Sequence, residues 1–589
     1  MPKLDDILKD IGEFGPYQRR VFLICCIIIF FNSWISMITV FLSASMDHWC
    51  AVPEWDDFDC SGAGLTPDAC AAAKRNASIP FNFTADGELV YEQCLKYNVS
   101  NVDFSPELFP QDYGVAPGEV IACDQGWEYD RSQYKSSIVT EFDLVCGNED
   151  LTDISQSVFY GGYLVGSIVF GSLADIVGRW WTLMACLVLR LIAGVALAFS
   201  PTWPVYAVMR FFQGAAGISI YIITFVLGTE FVGPSKRNVV GIVVVIPFAL
   251  GYMLLALLAY LLRYWKTLEL VATAPTVAFL VLMFFLPESM RWQISQGKYE
   301  EAEKALRKVA ESNDKSPSGP ILSGEFVKEM ESATKGRRKT GLDIFRTPRM
   351  RLRSVNIIFN WMVNVMVYHG LSLNTSNLGV DDYVAFAVSG AVEIPAYLLS
   401  VFIIELIGRR LSMFGCLLLG GVACLCTTFI PPGAALTTVA MIGKFGISAS
   451  FAILYLYTVE LYPTEIRTAA MGTCSMFARV AGIIAPIILT LDKYWTPLPL
   501  VIYGSASVLA GLLSLFFPET RGQKLPETME DGENFGLNLE DKSENSGSLA
   551  NGEKNGAPPE FSVIYSPEKE KEPVEQGTVN PGFSHQDGE

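Results

Sequence analysis

The residues Gly171-Ser-Leu-Ala-Asp175-Ile-Val-Gly178-Arg179 decide the fold, because a second version of them occurs later as Glu405-Leu-Ile-Gly408-Arg409-Arg410. The acidic residues Asp175 and Glu405 are 230 positions apart. Three motif pairs in nearly one register predict a chain built from two related halves. The other two pairs are residues 228–237 with 459–467, where Glu230 matches Glu460, and residues 287–289 with 518–520, where Glu288 matches Glu519.

Long apolar stretches surround these motifs in a chain of 589 residues, of which 51% are apolar. About 20 apolar residues cross a hydrocarbon layer of roughly 30 Å as a helix. We therefore predict an all-α polytopic membrane protein with twelve transmembrane helices in two pseudo-symmetric six-helix bundles. The predicted spans are 21–45, 154–174, 180–200, 204–228, 239–262, 268–286, 353–373, 382–405, 411–430, 435–458, 469–491 and 497–518.

The distribution of charge predicts the orientation. The net charge of −18 arises mainly from residues 47–153 and the tail after Pro518, whereas the short loops carry clustered Lys and Arg. Positive loops mark the cytoplasmic side, so both termini are predicted inside and residues 47–153 outside. The outer segment holds six cysteines and three glycosylation sequons, which indicate an oxidising route to the plasma membrane. The cysteines, whose three expected disulfides have no assigned pairing, are Cys50, Cys60, Cys70, Cys94, Cys123 and Cys146, and the sequons are at Asn76, Asn82 and Asn98.

These features divide the chain into five predicted parts. The tail is rich in Glu, Lys, Gly, Ser, Pro and Asn and has few large apolar residues, so we expect it to be disordered. The parts are a cytoplasmic N-terminus (1–20), an N-terminal six-helix bundle (21–286) with an extracellular disulfide-linked, glycosylated loop (46–153), a cytoplasmic connector with amphipathic helices (287–352), a C-terminal six-helix bundle (353–518) and a disordered cytoplasmic tail (519–589).

The repeated motifs place acids and arginines at cytoplasmic helix ends. There they can form ion pairs and cap unpaired backbone groups between neighbouring helices, and a network of them can bias a two-state conformational equilibrium. We therefore predict a conformational switch formed by Asp175, Arg179, Glu230, Arg237, Glu288, Arg291, Glu405, Arg409, Glu460, Arg467 and Glu519.

Several charged residues fall at membrane depth, where an unpaired charge is unfavourable and therefore a functional candidate. Arg479 and Glu393 each lie about ten residues, or roughly 15 Å, from the ends of their predicted helices. They are expected to contact substrate or to pair with each other. Lys444 lies in the first half of its span. Arg190 is predicted to have a structural partner, and Arg210 to extend towards an interface.

With these features the sequence resembles the major facilitator superfamily and, within it, the organic cation/anion/carnitine transporter family. The resemblance covers roughly residues 1–530. It rests on the repeated motifs, the cysteine-rich segment ending Ser137-Ile-Val-Thr-Glu-Phe-Asp-Leu-Val-Cys146, and the sequences Pro287-Glu-Ser-Met-Arg-Trp292, Val392-Glu-Ile-Pro395 and Glu460-Leu-Tyr-Pro-Thr464. It implies a central site between two bundles that opens to either side in turn.

The resemblance also implies a substrate. Anion and carnitine-type members tend to have arginine at the position of Arg479, and simple cation carriers an acid. An arginine can hold a carboxylate while aromatic rings hold a quaternary ammonium. We expect transport of small organic ions, such as organic cations or zwitterions like carnitine. Alternatives are an organic anion exchanger and a non-transporting ligand-binding receptor. The predicted substrate-binding residues are Arg479, Glu393, Lys444, Tyr221, Phe225, Trp361, Tyr368 and Tyr252.

Other functions find little support in the sequence. Residues 228–235 have the outline of a nucleotide-binding loop, but Pro234 replaces its phosphate-binding lysine. The chain has three histidines and no metal-ligand spacing. We predict no enzyme activity, metal, cofactor, nucleotide or nucleic acid, and a protein that works as a monomer in the lipid bilayer. Sodium or proton coupling stays open, and Glu393 is a candidate for either.

Overall fold

The computed structural model describes one helical unit, Met1–Gly536, that contains both halves of the chain. Arg237 and Cys60 lie outside the described residues, so the structure does not bear on the roles predicted for them. The described residues are 2–536 except 56–57, 59–65, 84–88, 100–118, 234–235, 237–239, 242, 316–318, 325, 329–340, 464–465, 524 and 527.

Twelve helices of the described residues form the body of the protein, six in each half. By length and composition nine of these described helices can cross a membrane, Ile246–Leu261 and Leu498–Ser514 are shorter apolar helices, and the twelfth is Pro348–Leu373. The helices are α1 (Pro16–Leu42), α2 (Asp150–Ile176), α3 (Arg179–Ala198), α4 (Trp203–Glu230), α5 (Ile246–Leu261), α6 (Trp265–Phe285), α7 (Pro348–Leu373), α8 (Asp382–Ile407), α9 (Arg409–Cys426), α10 (Ala434–Leu461), α11 (Arg467–Leu489) and α12 (Leu498–Ser514).

Glycines set the spacing of the most closely packed helices. A Cβ at Gly162 of α2 would lie 2.1 Å from the backbone oxygen of Phe211 in α4, and one at Gly214 would lie 2.3 Å from that of Phe159. Larger residues would force these helices apart. At the α2–α3 and α8–α9 turns, Gly178 and Gly408 adopt φ angles of 118° and 91°, which side chains other than glycine rarely tolerate.

A small domain, residues 48–148, covers one end of the bundle, which we call the insert face. It contains a helix (Pro67–Ser78) and three antiparallel strand pairs. Disulfides join Cys50 to Cys123 and Cys94 to Cys146, and Cys70 is also disulfide-bonded. Of the six cysteines predicted to form disulfides, the prediction is confirmed for the five that the structure describes. The strands are β1 (His48–Cys50), β2 (Phe81–Phe83), β3 (Leu89–Tyr91), β4 (Leu95–Tyr97), β5 (Val120–Ala122) and β6 (Trp127–Tyr129), paired β1–β6, β2–β3 and β4–β5.

Short helices cover the opposite end, which we call the termini face. Pro2–Asp10, Met290–Ser295 and Tyr299–Ser312 pack beneath the N-terminal half and bury Leu4, Leu8 and Leu306. Arg291 forms an ion pair with Asp5. The N-terminal segment and the first part of the connector therefore form one layer on this face.

The first part of the tail is ordered, which corrects the sequence prediction. Disorder was expected from residue 519 onward, yet Met529–Asn534 is a helix capped by Thr528. Glu533 accepts hydrogen bonds from the backbone N–H groups of Arg349 and Met350 at the start of α7, at 3.0 Å each. Composition alone could not reveal this segment, because its stability comes from capping a distant helix. Residues 537–589 lie outside the described residues.

Candidate functional site

The two halves meet at the insert face. Tyr134 of the small domain donates a hydrogen bond to Asp382 of α8 at 2.8 Å, and Lys493 lies 2.9 Å from Asp150 of α2. Phe41 of α1 stacks on Tyr383 with ring centroids 5.5 Å apart. All the hydrogen bonds that the structure describes between the halves lie towards this face, so the bundle is closed there.

On the termini side of these contacts the structure describes no hydrogen bond between the halves, so we infer that the centre of the bundle opens towards the termini face. Tyr455 of α10 is in ring contact with Trp361 and Phe451, and Arg479 lies within electrostatic range, yet 40% of its surface is exposed. Tyr221 of the other half lies within electrostatic range of Tyr455, so we infer that Tyr455 borders a space between the halves. We call this space the central chamber. Its lining includes half-buried Tyr221 and Phe225 of α4, whose rings stack with centroids 6.5 Å apart.

Glu393 and Lys444 form an ion pair in the wall of this chamber. Lys444 Nζ lies 3.1 Å from Glu393 Oε1, and both side chains are fully buried. Tyr368 and Tyr397 donate hydrogen bonds to the same carboxylate at 2.8 and 3.2 Å. The ammonium also bonds Ser372 and lies 3.7 Å from the centroid of the Tyr368 ring. Each charge is thus satisfied by the protein itself.

Arg479 differs from Glu393 and Lys444, because it has no acidic partner among the described residues. Its guanidinium donates to the backbone oxygen and hydroxyl of Ser475, one turn earlier in α11, at 2.5 Å each. Its Nε is buried and has no hydrogen-bond partner in the part of the chain that the structure describes. Among the described residues no carboxylate lies within 4.0 Å of it, so the predicted alternative of a pair with Glu393 is wrong: Lys444 occupies that acid.

The N-terminal half contains a second buried polar network. Arg210 donates to Gln213 at 2.9 Å, and Gln213 donates to Glu269 of α6 at 2.5 Å. Arg190 donates to Asn32 of α1 at 2.9 Å. The expectation that Arg210 extends to an interface is wrong, because its side chain is fully buried and its acceptors come from α1, α2 and α4. The structural partner predicted for Arg190 is present.

The predicted aromatic residues divide into two groups. Tyr221 and Phe225 border the chamber, whereas Trp361 and Tyr252 are 1% and 0% exposed. Trp361 donates its indole N–H to Thr458 at 2.9 Å, and Tyr252 donates to Ser389 across the contact between the halves at 3.2 Å. In this conformation Trp361 and Tyr252 support the wall of the chamber and do not reach its interior.

The motif residues form a network at the termini face of the N-terminal half. Both carboxylate oxygens of Glu288 accept backbone N–H groups at the start of α3, from Arg179 and Trp180, at 3.0 Å each. Arg179 lies 3.2 Å from Asp175 and 3.5 Å from Glu230. Arg291 donates to the backbone oxygen of Glu230.

The C-terminal half repeats this network 230 residues later. Arg409 bonds both oxygens of Glu460 at 3.0 and 3.1 Å, and it lies 3.8 Å from Glu405. Glu519 caps α9 as Glu288 caps α3. Burial would raise the pKa of Glu519, but backbone N–H groups of residues 409, 521, 410 and 520 outweigh it and hold the pKa below its ordinary value. Arg467 donates to the backbone oxygen of Tyr462.

Each of these networks lies within one half. They join α3, α4 and the end of α6 in the first, and α9, α10 and the end of α12 in the second. In this conformation the ion pairs therefore keep the helix ends of each half together. The predicted capping and ion pairing between neighbouring helices match the geometry, whereas the role in switching stays a prediction.

Sequence reasoning missed several residues of the site. Tyr163 of α2 lies within electrostatic range of Arg479, and its hydroxyl is 2.8 Å from that of Ser36. Phe451 and Tyr455 are four residues apart in α10, so they share a helix face. That spacing was a usable signal.

The predicted sequons lie on the small domain. Asn82 and Asn98 are exposed, whereas Asn76 lies within the helix Pro67–Ser78 and accepts a hydrogen bond from the Tyr91 hydroxyl. Glycosylation of all three stays a prediction.

The chain was compared with known protein families, proteins and structures. The family model described as "Sugar (and other) transporter" matches residues 120–531. The chain is 37% identical to the Organic cation transporter protein of Drosophila melanogaster, over 90% of this chain and 95% of that protein. It is 35% identical to Organic cation/carnitine transporter 2 of Homo sapiens, over 90% and 94%.

The fold is similar to that of a solved transporter. The inward open conformation of the xylose transporter XylE from E. coli matches with a TM-score of 0.54 and 19% identity, covering 66% of this chain and 91% of that one. The predicted fold of two six-helix bundles is confirmed by this match and by the family model. The chain therefore belongs to the major facilitator superfamily and, within it, to the solute carrier 22 family of organic cation and carnitine transporters, and it is a membrane transporter and not an enzyme.

Proposed function

We propose that the substrate of this transporter is a small zwitterion with a carboxylate and a quaternary ammonium, such as carnitine or a related betaine. The observation that carries the proposal is the uncompensated positive charge of Arg479 beside the central chamber. In the wall formed by the C-terminal half, Glu393 and Lys444 neutralise each other. The buried Arg190, Arg210 and Glu269 belong to the network of the N-terminal half, which has one more positive than negative charge.

The charge balance favours a substrate with a carboxylate. A simple organic cation would meet a chamber with a net positive charge, which repels it. A carboxylate would instead pair with the guanidinium, which is suited to bidentate contacts, and would provide an acceptor for its unpaired Nε.

The ammonium end of the substrate has aromatic partners in the same chamber. Tyr221 and Phe225 form a stacked pair on one side, and Phe451 and Tyr455 lie on the other half with centroids 5.2 Å apart. Faces of aromatic rings attract quaternary ammonium groups. An arginine and aromatic side chains around one chamber match the two ends of a zwitterion. The name of the human relative, Organic cation/carnitine transporter 2, supports this choice.

The orientation is part of the proposal. The termini face lies in the cytoplasm, and the disulfide-linked domain on the insert face lies outside the cell at the plasma membrane. The disulfides and the sequons on that domain support this arrangement, as do the clustered arginines at the opposite end. The conformation described is then open to the cytoplasm, and the protein acts as a monomer.

A second candidate is organic anion exchange. The same unpaired Arg479 favours it, because a dicarboxylate or aromatic carboxylate would also neutralise the chamber. It differs from the zwitterion proposal in needing no contact between an ammonium and the aromatic rings.

The test is uptake of radiolabelled carnitine, tetraethylammonium and an aromatic carboxylate into cells that express the chain, with sodium present and then replaced. The proposal expects saturable carnitine uptake and little tetraethylammonium uptake. Uptake of tetraethylammonium alone would contradict it. Uptake of the aromatic carboxylate alone would support the anion exchanger, and the sodium replacement would report the coupling ion.

A further inference from the structure

A pocket of about 210 Å³ lies at the termini face, outside the central chamber. Two tryptophans at the start of α3 and one in the helix Met290–Ser295 form its walls. Its rim lies at the ends of α2 and α3, where the chain leaves the membrane. The lining residues are Val177, Trp180, Trp181, Glu288, Trp292, Gln293, Lys298 and Glu301.

The aromatic walls are held in place by hydrogen bonds. Trp180 donates its indole N–H to the backbone oxygen of Met283 at 2.8 Å, and Trp292 donates to that of Asp175 at 2.9 Å. Trp180 and Trp181 are in edge contact with centroids 4.7 Å apart. Two of the rings are therefore fixed, and the pocket is preformed.

The charges of the pocket suit a zwitterion. Both oxygens of Glu288 are used by the backbone of α3, which leaves the partly exposed ion pair of Lys298 and Glu301 as the remaining charges of the pocket. Their charged atoms are 4.0 Å apart, and about half of each side chain is exposed. The ammonium of Lys298 lies 5.0 Å from the Trp292 ring centroid, so this aromatic surface already accepts a cation.

Gln293 supplies an independent indication of a ligand. Its side chain is 8% exposed and lines the pocket, and its buried Oε1 has no hydrogen-bond partner among the described residues. A buried acceptor without a donor is unfavourable, because it has lost its bonds to water. A ligand with an N–H group would satisfy it.

The rim indicates that the ligand is a lipid. Trp181 is 62% exposed and Val177 is 44% exposed, and both lie at ends of membrane helices. Exposed tryptophans at such ends typically sit at the level of lipid headgroups. A headgroup at this height would reach the pocket while its acyl chains remained in the bilayer.

We infer that the pocket binds a phospholipid with a primary ammonium headgroup, of the phosphatidylethanolamine type. Its phosphate pairs with Lys298, and its ammonium donates to Gln293 Oε1 and Glu301 among the tryptophan rings. The inference rests on the proposed orientation, which places the pocket at the inner leaflet.

The repeated motif alone does not require this pocket. The positions in the second half that correspond to Trp180 and Trp181 are Arg410 and Leu411, and Glu519 still caps the helix there. The capping network is thus complete without aromatic residues, and the tryptophans of the first half need another role.

The test measures lipid binding to the purified full chain by native mass spectrometry. The probes are dioleoyl phosphatidylethanolamine, its N-methyl and N,N-dimethyl derivatives, and dioleoyl phosphatidylcholine, which have three, two, one and no N–H groups. Affinity should fall along this series, by roughly tenfold or more from the first to the last. Gln293→Met should remove the difference in affinity between the four lipids, and Lys298→Ala should weaken the binding of all four.

The control is Glu300→Gln, which changes an exposed side chain next to Glu301 that does not line the pocket. It should leave the series unchanged. Equal binding of the four lipids to the unmodified chain would overturn the inference, as would discrimination that survives Gln293→Met. Equally strong competition by soluble glycerophosphoethanolamine would show that the bilayer is not the source. Because binding and not uptake is measured, the result does not depend on the transported substrate.

Discussion

Removing one member of the Glu393–Lys444 pair should destabilise the protein far more than removing both. At 3.1 Å the attraction between the two charges is about 5 kcal/mol with an effective dielectric constant of roughly 20. The loss of solvation of two buried ions is of similar size, so the pair as a whole contributes little. A single change leaves one charge buried and unpaired, which destabilises by about 3–5 kcal/mol.

The variants are Glu393→Gln, Lys444→Met and the double variant, and thermal unfolding in detergent measures them. Each single variant should unfold at a clearly lower temperature, and the double variant should recover most of the loss. Lys493→Met, which removes an exposed lysine from an ion pair with Asp150, should have little effect. Losses that simply add in the double variant would refute the reasoning, because independent sites add and coupled sites do not.

Two further predictions concern the termini face. Glu533→Gln should release the tail helix from the start of α7 and speed tryptic cleavage of the tail roughly fivefold, as expected for loss of about 1 kcal/mol of capping. Glu530→Gln in the same helix is the control, and equal cleavage of both variants would contradict the cap. Glu519→Gln should lower the unfolding temperature, because α9 loses a charged cap worth about 1 kcal/mol. Glu405→Gln, which removes an exposed acid 3.8 Å from Arg409, should lower it less, and the reverse order would argue against the cap.

The repeat spacing made the two motif networks predictable. Residues 230 positions apart occupy equivalent places, and the pairs found in the structure, Arg179 with Glu230 and Arg409 with Glu460, are such equivalents, although the sequence predicted ion pairing among the motif residues without assigning partners. The sequence could not reveal that each network stays within its own half, because that depends on which helix ends are neighbours in space.

The partners of the buried charges were harder to predict. Glu393 and Lys444 were both candidates, but hydropathy does not define which faces of α8 and α10 meet, and the pair became evident only from the fold. Glu269 was missed because the predicted span began at residue 268. That boundary placed Glu269 at the membrane–water interface, where a charged residue needs no partner. The helix begins at Trp265, and Phe142 of the small domain lies against that ring, so the helix end is covered by protein.

The central claim is that Arg479 holds the carboxylate of the substrate. Its most direct test measures how strongly unlabelled carnitine and choline each inhibit the uptake of radiolabelled carnitine. Choline keeps the quaternary ammonium but lacks the carboxylate. The measurement is made on the unmodified chain and on Arg479→Gln. The account predicts that carnitine binds the unmodified chain roughly 10- to 100-fold more tightly than choline, since a hydrogen-bonded charge contributes about 1.5–3 kcal/mol. It also predicts that this preference disappears in the variant. A preference for carnitine that is undiminished in Arg479→Gln would contradict the account.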